Sequence, residues 1–288
     1  MTLQKQIAAK GKTMMTIRKA LTIAGSDTSG GAGIQADLKT FQESGVYGMT
    51  VLTTIVSMSP KDWSHSVFPV SLEAFDAQLE TVFDSIGTDA LKTGMLGSTD
   101  IIERTADRIV RHQARNVVVD PVMICKGTDE VLHPETAVAL REVLVPKATI
   151  VTPNLFEASQ LSNRPAITTV EQMKEAAAII HESGVKYVLI KGGGKLPGER
   201  AVDLLYDGST FELYESEKLV TTNTHGAGCT YSAAITAELA KGRDVKEAVM
   251  TAKSFITNAI KHSFPINSFV GPTLHAAERL YGSAAISK

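Results

Sequence analysis

Apolar positions along this chain of 288 residues keep two alternating rhythms. Short, continuous apolar runs bounded by glycine, proline, Asn or Asp are followed by longer stretches with apolar residues three and four apart. That is the signature of buried strands alternating with amphipathic helices. Arg18 to Ala24 is the first such run. Gly25-Ser26-Asp27-Thr28-Ser29-Gly30-Gly31-Ala32-Gly33 ends it, and Ile34, Leu38 and Phe41 then recur at helical spacing up to Gly45. Met49 to Met58 predicts a buried strand, and Ser59 to Pro69, with two prolines, Trp63 and His65, predicts a loop or flap. A helix over Leu72 to Ile86 puts Phe75, Leu79, Val82, Phe83 and Ile86 on one face, and a short strand over Asp89 to Thr93 ends in Gly94-Met95-Leu96-Gly97.

The second half keeps the rhythm. Ser98 to His112 predicts a helix, Asn116 to Asp120 a strand, and Pro121 to Glu130 a loop carrying Cys125-Lys126-Gly127. A helix over Pro134 to Leu144 leads to a strand at Thr149 to Thr152 and then to Pro153-Asn154, a stop followed by a good N-cap. Glu171 to Ser183 predicts a helix, and the strand Lys186 to Ile190 feeds Lys191-Gly192-Gly193-Gly194-Lys195. Ala201 to Tyr206 and Thr210 to Tyr214 flank Asp207-Gly208, the strongest short hairpin signal in the chain. Helices after Gly228 and Asp244 close the pattern.

The expectation is an α/β fold: a mostly parallel sheet covered on both faces, with one hairpin near an edge. No composition break divides the chain, so one domain over residues 16–288 is expected behind a disordered tail of residues 1–15. The tail carries Lys5, Lys10 and Lys12 but no apolar core of a secretory signal. Open α/β sheets bind ligands beyond the carboxyl ends of their strands. Asp27, Met58, Met95, Asp120, Asn154, Lys191 and His225 through Cys229 all fall on that edge.

Charge and cysteine content narrow the partners. The formal net charge is -2 with no long run of one sign, which disfavours nucleic acid or an anionic membrane as partner. The cysteines, Cys125 and Cys229, make neither a disulfide framework nor a zinc spacing and fit a reduced cytoplasm. No apolar run approaches the roughly 18 residues of a membrane span.

Within these limits the glycine loops carry the chemistry. Thr224-His225-Gly226-Ala227-Gly228-Cys229-Thr230 closes a loop and opens a helix, so amides and the positive end of the helix dipole face whatever sits in front of them. This predicts an anion site. Cys229, in the first turn, is expected to be drawn toward the thiolate, the alternative being a small buried hydrophobe. Lys191 with Gly192, Gly193, Gly194 and Lys195 places ammonium groups and amides where phosphate oxygens could lie, or forms a surface loop. Asp120 at a strand end and Glu157 one turn beyond the Asn154 cap offer two carboxylates for Mg²⁺, or act only as caps. The Gly25–Gly33 loop has neither a Walker ending nor the spacing of a dinucleotide fingerprint, so a nicotinamide oxidoreductase is disfavoured. That loop serves either as ligand contact or as a tight turn that lets a helix pack close to the sheet.

Taken in order, Ala20 to Asp27, Gly30 to Thr40, Lys92 to Leu96, Asp120 to Met123, Thr152 to Ala158, Lys191 to Gly193 and Thr224 to Cys229 resemble the hydroxymethylpyrimidine kinase and pyridoxal kinase branch of the ribokinase-like family. The match runs from about Lys19 to Pro272. It implies a three-layer α/β/α ribokinase-like fold, ATP and Mg²⁺ (with K⁺ left open), a primary alcohol as acceptor, and a homodimer. Gly226, Ala227 and Gly228 would hold the phosphoryl group in transit with Cys229 as base or positioning group. Lys191 would neutralise ATP phosphate, Asn154 and Glu157 would organise Mg²⁺, and Asp120 would support that metal.

The acceptor contacts implied are Gly25, Asp27, Asp37, Met58, Met95 and Cys125. Pyrimidine-specific members of this branch usually carry Gln where Met58 stands and Ala where Cys125 stands. Met58 cannot pair with an amino-pyrimidine edge, so the resemblance points to the 5′-hydroxymethyl of pyridoxal, pyridoxine and pyridoxamine. A hydroxymethylpyrimidine kinase, an enzyme of both pathways, or an idle pyridoxal phosphate carrier remain the alternatives. Trp63 and His65 either cover a heteroaromatic ring or tether the flap, His225 contacts phosphate or caps the helix, and the Asp207 hairpin and the stretch before Thr224 are candidates for adenine contact.

Overall fold

The computed structural model describes residues 16–123 and 134–282. Through them runs a single sheet of nine strands in the order β3-β2-β1-β4-β5-β6-β7-β8-β9. Its centre is β1 (Lys19–Asp27), which pairs in parallel with β2 (Tyr47–Met58) on one side and β4 (Ala90–Thr93) on the other. Parallel pairing continues through β5 (Val117–Val119), β6 (Ile150–Val151) and β7 (Tyr187–Gly193). These strands are apolar on both faces because both are covered. Leu21, Ile23, Leu91, Val119 and Val151 join one core, whereas Ala20, Ala90, Val118 and Ile150 join the other.

One layer holds α2 (Leu72–Glu80, continued by a wider turn over Thr81–Ile86), α3 (Thr99–Arg111), α4 (Pro134–Ala139), α5 (Leu155–Ser162) and α6 (Val170–His181). The opposite layer holds α1 (Gly33–Glu43), α7 (Ala227–Ala240) and α8 (Val245–Lys261), and the short α9 (Ala277–Tyr281) packs against α8. The three-layer α/β/α arrangement is the one expected. Local chemistry starts the helices: Ser98 caps α3, and Asn154 and Thr169 form reciprocal capping boxes with Glu157 and Gln172 at the starts of α5 and α6. No described helix is long and apolar enough to cross a membrane.

Three expectations are corrected. Ser59 to Pro69 is not all loop, since β3 (His65–Pro69) pairs antiparallel with β2, Met58 opposite His65. Ser59 N–H donates to the Ser64 carbonyl at 2.9 Å and closes the turn. All of β3 except His65 is exposed, so it lacks the apolar signal of a buried strand, and an edge strand tolerates Pro69. Antiparallel pairing therefore occurs at both edges rather than one. At the far edge β7, β8 (Arg200–Tyr206) and β9 (Phe211–Glu217) are successively antiparallel, with the Asp207-Gly208 turn where the hairpin signal placed it. Finally, β7 does not stop at Ile190 but runs to Gly193, with a register shift between Lys191 and Gly193. The glycines that read as loop are partly strand.

Candidate active site

The carboxyl ends of the parallel strands open into a cleft of about 690 Å³. At its centre two glycine segments meet backbone to backbone. Gly226 has φ 75°, and a Cβ there would lie 1.7 Å from the Gly31 carbonyl oxygen. A Cβ on Gly31 would meet the His225 ring at 2.4 Å, and one on Gly33, at φ 57°, would meet the Gly25 carbonyl oxygen at 2.2 Å. Only glycine permits this approach. The first glycine loop is the tight turn considered for it, letting the starts of α1 and α7 converge, and its Gly25, Asp27 and Gly33 line the cleft.

Asp27 and His225 tie the two loops together. His225 Nε2 lies 2.7 Å from Asp27 Oδ2, which also accepts from Ser29 Oγ at 2.9 Å and Ala32 N–H at 2.8 Å, while Oδ1 accepts from Ser29 N–H at 2.8 Å. Burial would raise this carboxyl, but the bonds from His225 and Ser29 hold it at about 2. His225 is therefore a clamp between loops as well as a residue of the cleft wall.

At the start of α7 the first bond of helical type runs from Thr230 N–H to the Gly226 carbonyl at 2.9 Å, which leaves the amides of Gly228 and Cys229 ahead of the helix's own acceptors. Ala227 N–H, in contrast, donates to the Thr224 carbonyl at 3.1 Å. The expected depression of the Cys229 thiol is reversed. Burial pushes it up to about 11, outweighing the pull of Lys92, with Asp37 and Asp120 adding to the rise. The dipole effect in the first turn is too small to offset desolvation.

Opposite this turn stands Lys191, whose ammonium is 3.4 Å from where a Cβ on Gly228 would be. Its Nζ donates to Asp120 Oδ1 at 2.8 Å, and Ser232 Oγ donates to Asp120 Oδ2 at 3.0 Å. Burial works against charge on both, but each holds the other ionised: Asp120 stays below the usual carboxylate range and Lys191 above the usual ammonium range. Glu157 closes the group from the α5 capping box, its Oε2 accepting from Asn154 N–H at 2.8 Å. Burial, opposed by Lys191 and assisted by Asp120, pushes Glu157 up to about 7.

That rise has a sign that can be tested. Between its ordinary value near 4.5 and about 7, the folded protein keeps a proton on Glu157 that the unfolded chain releases, so stability falls as pH rises through this window. In Glu157→Gln that loss is absent. The stability of the variant relative to wild type is expected to improve by about 3 kcal/mol between pH 4.5 and 7, measured by urea unfolding; parallel curves would show that Glu157 is ionised in the free protein.

Among the expected contacts, Gly25, Asp27, Met58, Met95, Asp120, Asn154, Glu157, Lys191 through Lys195 and Gly226 through Cys229 all line this one cleft. Asp37 does not. It is buried beneath the floor in an ion pair with Lys92 at 2.8 Å and accepts from Thr22 Oγ1 at 2.6 Å, because the inward face of α1 turns it toward the sheet. Cys125 lies outside the described residues. Of the adenine candidates, Leu219 and Thr221 before Thr224 line the cleft, whereas Asp207 is held in its turn by Ser209 and Thr210 and pairs with Lys246. His65 reaches the wall beside Met58. Trp63 does not, and stacks on Phe269 with ring centroids 5.9 Å apart, which is the tethering role.

Several residues escaped the sequence reading. Lys92 is a fully buried cation in an apolar strand, and Lys253, paired with Asp203 at 2.7 Å, sits on the apolar stripe of α8. A lone charge at an apolar-stripe position was the available signal in both cases. The Gly193 amide, read as free to meet phosphate, donates instead to Asp203 Oδ1 at 3.1 Å.

Comparison with known proteins places the chain in a family. The phosphomethylpyrimidine kinase family matches residues 27–274. The chain is 63% identical over 267 residues to the pyridoxine kinase of Bacillus subtilis, covering 92% of this chain and 98% of that protein. It is also 41% identical to the hydroxymethylpyrimidine/phosphomethylpyrimidine kinase of the same organism, over 91% of this chain and 96% of that one. Among solved structures, an ADP complex of Bacillus subtilis pyridoxal kinase superposes with TM-score 0.90 at 63% identity, covering 92% of this chain and 100% of that chain. The Staphylococcus aureus pyridoxal kinase in complex with AMP-PCP and pyridoxal gives TM-score 0.90 at 48% identity, over 94% and 98%. The family model and these relatives match nearly the whole length, and the chain belongs to the phosphomethylpyrimidine kinase family.

Proposed function

We propose that this protein is an ATP-dependent kinase that phosphorylates the 5′-hydroxymethyl group of pyridoxal, pyridoxine and pyridoxamine, a salvage reaction yielding the 5′-phosphates. The observation that carries the reading is that one cleft joins the Gly226–Cys229 turn and the Asp120–Lys191–Glu157 group to a pocket bounded by Met58, His65 and Met95. Identity to relatives named pyridoxine kinase supports it.

Phosphoryl transfer depends on placed positive charge more than on covalent help from the protein. Lys191 and the amides of Gly228 and Cys229, which face one another in the cleft, supply that charge. Among the described residues no group of three or more His, Cys, Asp or Glu side chains is arranged to hold a metal. Asp120 and Glu157 are nevertheless a fitting donor set for Mg²⁺, which is commonly held by one or two carboxylates with water and substrate phosphates. The buried Glu157 carboxyl, pushed up to about 7 in the free protein and so only partly ionised near neutrality, is the group such a cation would ionise fully. When bound, Mg²⁺ supplies neutralisation of phosphate charge. Cys229, a thiol at neutral pH, orients the acceptor hydroxyl, and a loose transition state asks for little prior deprotonation of the alcohol.

The test is ADP release with Mg²⁺ and ATP against pyridoxal, pyridoxine, pyridoxamine and hydroxymethylpyrimidine, compared as kcat/KM. Higher values for the three vitamers are expected. Preference for the pyrimidine would favour the second reading, which the 41% identical relative keeps in view, and no release with any acceptor would overturn the kinase. Met58→Gln supplies the amide that an amino-pyrimidine edge can pair with, and is expected to shift the ratio of kcat/KM values toward hydroxymethylpyrimidine by about tenfold or more. An unchanged ratio would remove Met58 as the specificity element. A homodimer belongs to the reading through family likeness, and sedimentation equilibrium reports it directly.

A further inference from the structure

Asp203 and Lys253 form an ion pair at 2.7 Å with side chains only 3% and 4% exposed, on the cleft wall and outside every role assigned above. A buried ion pair is a poor source of net stability compared with apolar groups of the same shape. Its partners here point to another use. While Oδ2 of Asp203 takes Lys253, Oδ1 takes the Gly193 N–H at 3.1 Å, and Lys253 also donates to the Ala201 carbonyl at 3.2 Å.

Gly193 stands at the register shift of β7 against β8, with φ 50°. Just before it the two backbones are pressed together, since a Cβ on Gly192 would lie 2.3 Å from the Val202 carbonyl oxygen. Just before that, Lys191 is anchored by its N–H to the Pro153 carbonyl at 2.8 Å and by Nζ to Asp120. The path of the chain from Lys191 to Lys195 is therefore set on one side by Pro153 and on the other by the carboxylate of Asp203. A third element converges there: the Tyr231 hydroxyl, on the helix that opens with the Gly226–Cys229 turn, is buried beside Asp203, and burial together with that carboxylate holds it well above the usual phenol range.

We propose that Asp203 and Lys253 are positioning residues for the phosphoryl donor: their ion pair locks the bulge at Gly192–Gly193 and so sets where Lys191, Gly194 and Lys195 meet the donor's phosphates. The proposal rests on the kinase reading for the identity of the donor. It assigns neither residue a contact with the reacting atoms. Removing the cation alone leaves Asp203 charged, buried and free to take another donor, so the bulge should loosen while the acceptor pocket, at the Met58 end, stays as it was.

The test compares Lys253→Met, Lys253→Arg and the neutral pair Asp203→Asn/Lys253→Met with wild type, in three measurements: KM for ATP and for pyridoxal, ADP binding by calorimetry, and native-state hydrogen exchange of the Gly193 and Gly194 amides with Val118 as reference. In Lys253→Met, KM for ATP is expected to rise about tenfold, KM for pyridoxal to change less than about threefold, and the glycine amides to exchange at least about tenfold faster with Val118 unaltered. Lys253→Arg should restore part of the ATP affinity. The neutral pair, which keeps an amide oxygen for Gly193 without a stranded charge, should restore most of it, and it carries the test if Lys253→Met does not fold. An unchanged KM for ATP in folded Lys253→Met, or equal rises in both KM values with uniformly faster exchange, would reduce the pair to a structural role and overturn the proposal. If wild type phosphorylates no acceptor, the kinase reading fails. ADP binding and glycine exchange then still decide the positioning role, the same split between variants supporting it and its absence sinking it.

Discussion

Gly226→Ala is expected to lower kcat/KM by about a hundredfold or more and to destabilise the fold by about 2–5 kcal/mol. Two costs combine at this position. The left-handed backbone at φ 75° disfavours any side chain by about 1–2 kcal/mol, and the new Cβ would sit 1.7 Å from the Gly31 carbonyl oxygen. Backbone cannot rotate away as a flexible side chain can, so the start of α7 must move from the first glycine loop and carry the Gly228 and Cys229 amides with it. Gly45→Ala separates the two costs: it has nearly the same φ, 72°, but nothing lies within 4 Å of its added Cβ. It should lose about 1 kcal/mol of stability and keep full turnover. Steady-state ADP release and thermal melting of both variants check this. A Gly226→Ala enzyme as active as Gly45→Ala would show that the contact between the two loops does not set the geometry of transfer.

Cys229→Ala is expected to fold with a melting temperature within a few degrees of wild type and to lose about 10²-fold or more in kcat, with a smaller change in KM for ATP. Cys229→Ser keeps a polar hydrogen at the same place and should retain more activity than the alanine variant. Burial pushes the thiol up to about 11, so wild-type kcat is expected to be flat between pH 7 and 9. A tenfold rise per pH unit over that range would identify the thiolate as a general base, and full activity of Cys229→Ala would remove the residue from the mechanism.

How much of this was legible in the sequence differs from element to element. The central strands were readable because they are buried on both faces, which leaves continuous apolar runs such as Val117 to Val119. Strand β3 was not, because an exposed edge strand is under no such constraint. The capping box of Asn154 and Glu157 was visible as a local spacing and is formed as such. Asp37 was misplaced for the opposite reason: it lies within a recognisable motif, but whether a residue on α1 faces the cleft or the sheet depends on how the helix is rotated against Lys92 and Thr22, which come from other strands.

What the sequence determined by itself is therefore what local periodicity and local sterics control: the alternation of strands and helices, the helix starts, the hairpin at Asp207-Gly208, and the clustering of chemically competent residues at the carboxyl edge of the sheet. The tertiary structure alone decided which groups are paired and what charge they carry. Lys191 meets Asp120 from 71 residues away and His225 meets Asp27 from 198. The Cys229 thiol rises rather than falls because desolvation is a property of everything packed around it. Burial and charge pairing are sums over neighbours brought in from the whole chain, and no window of sequence contains that sum.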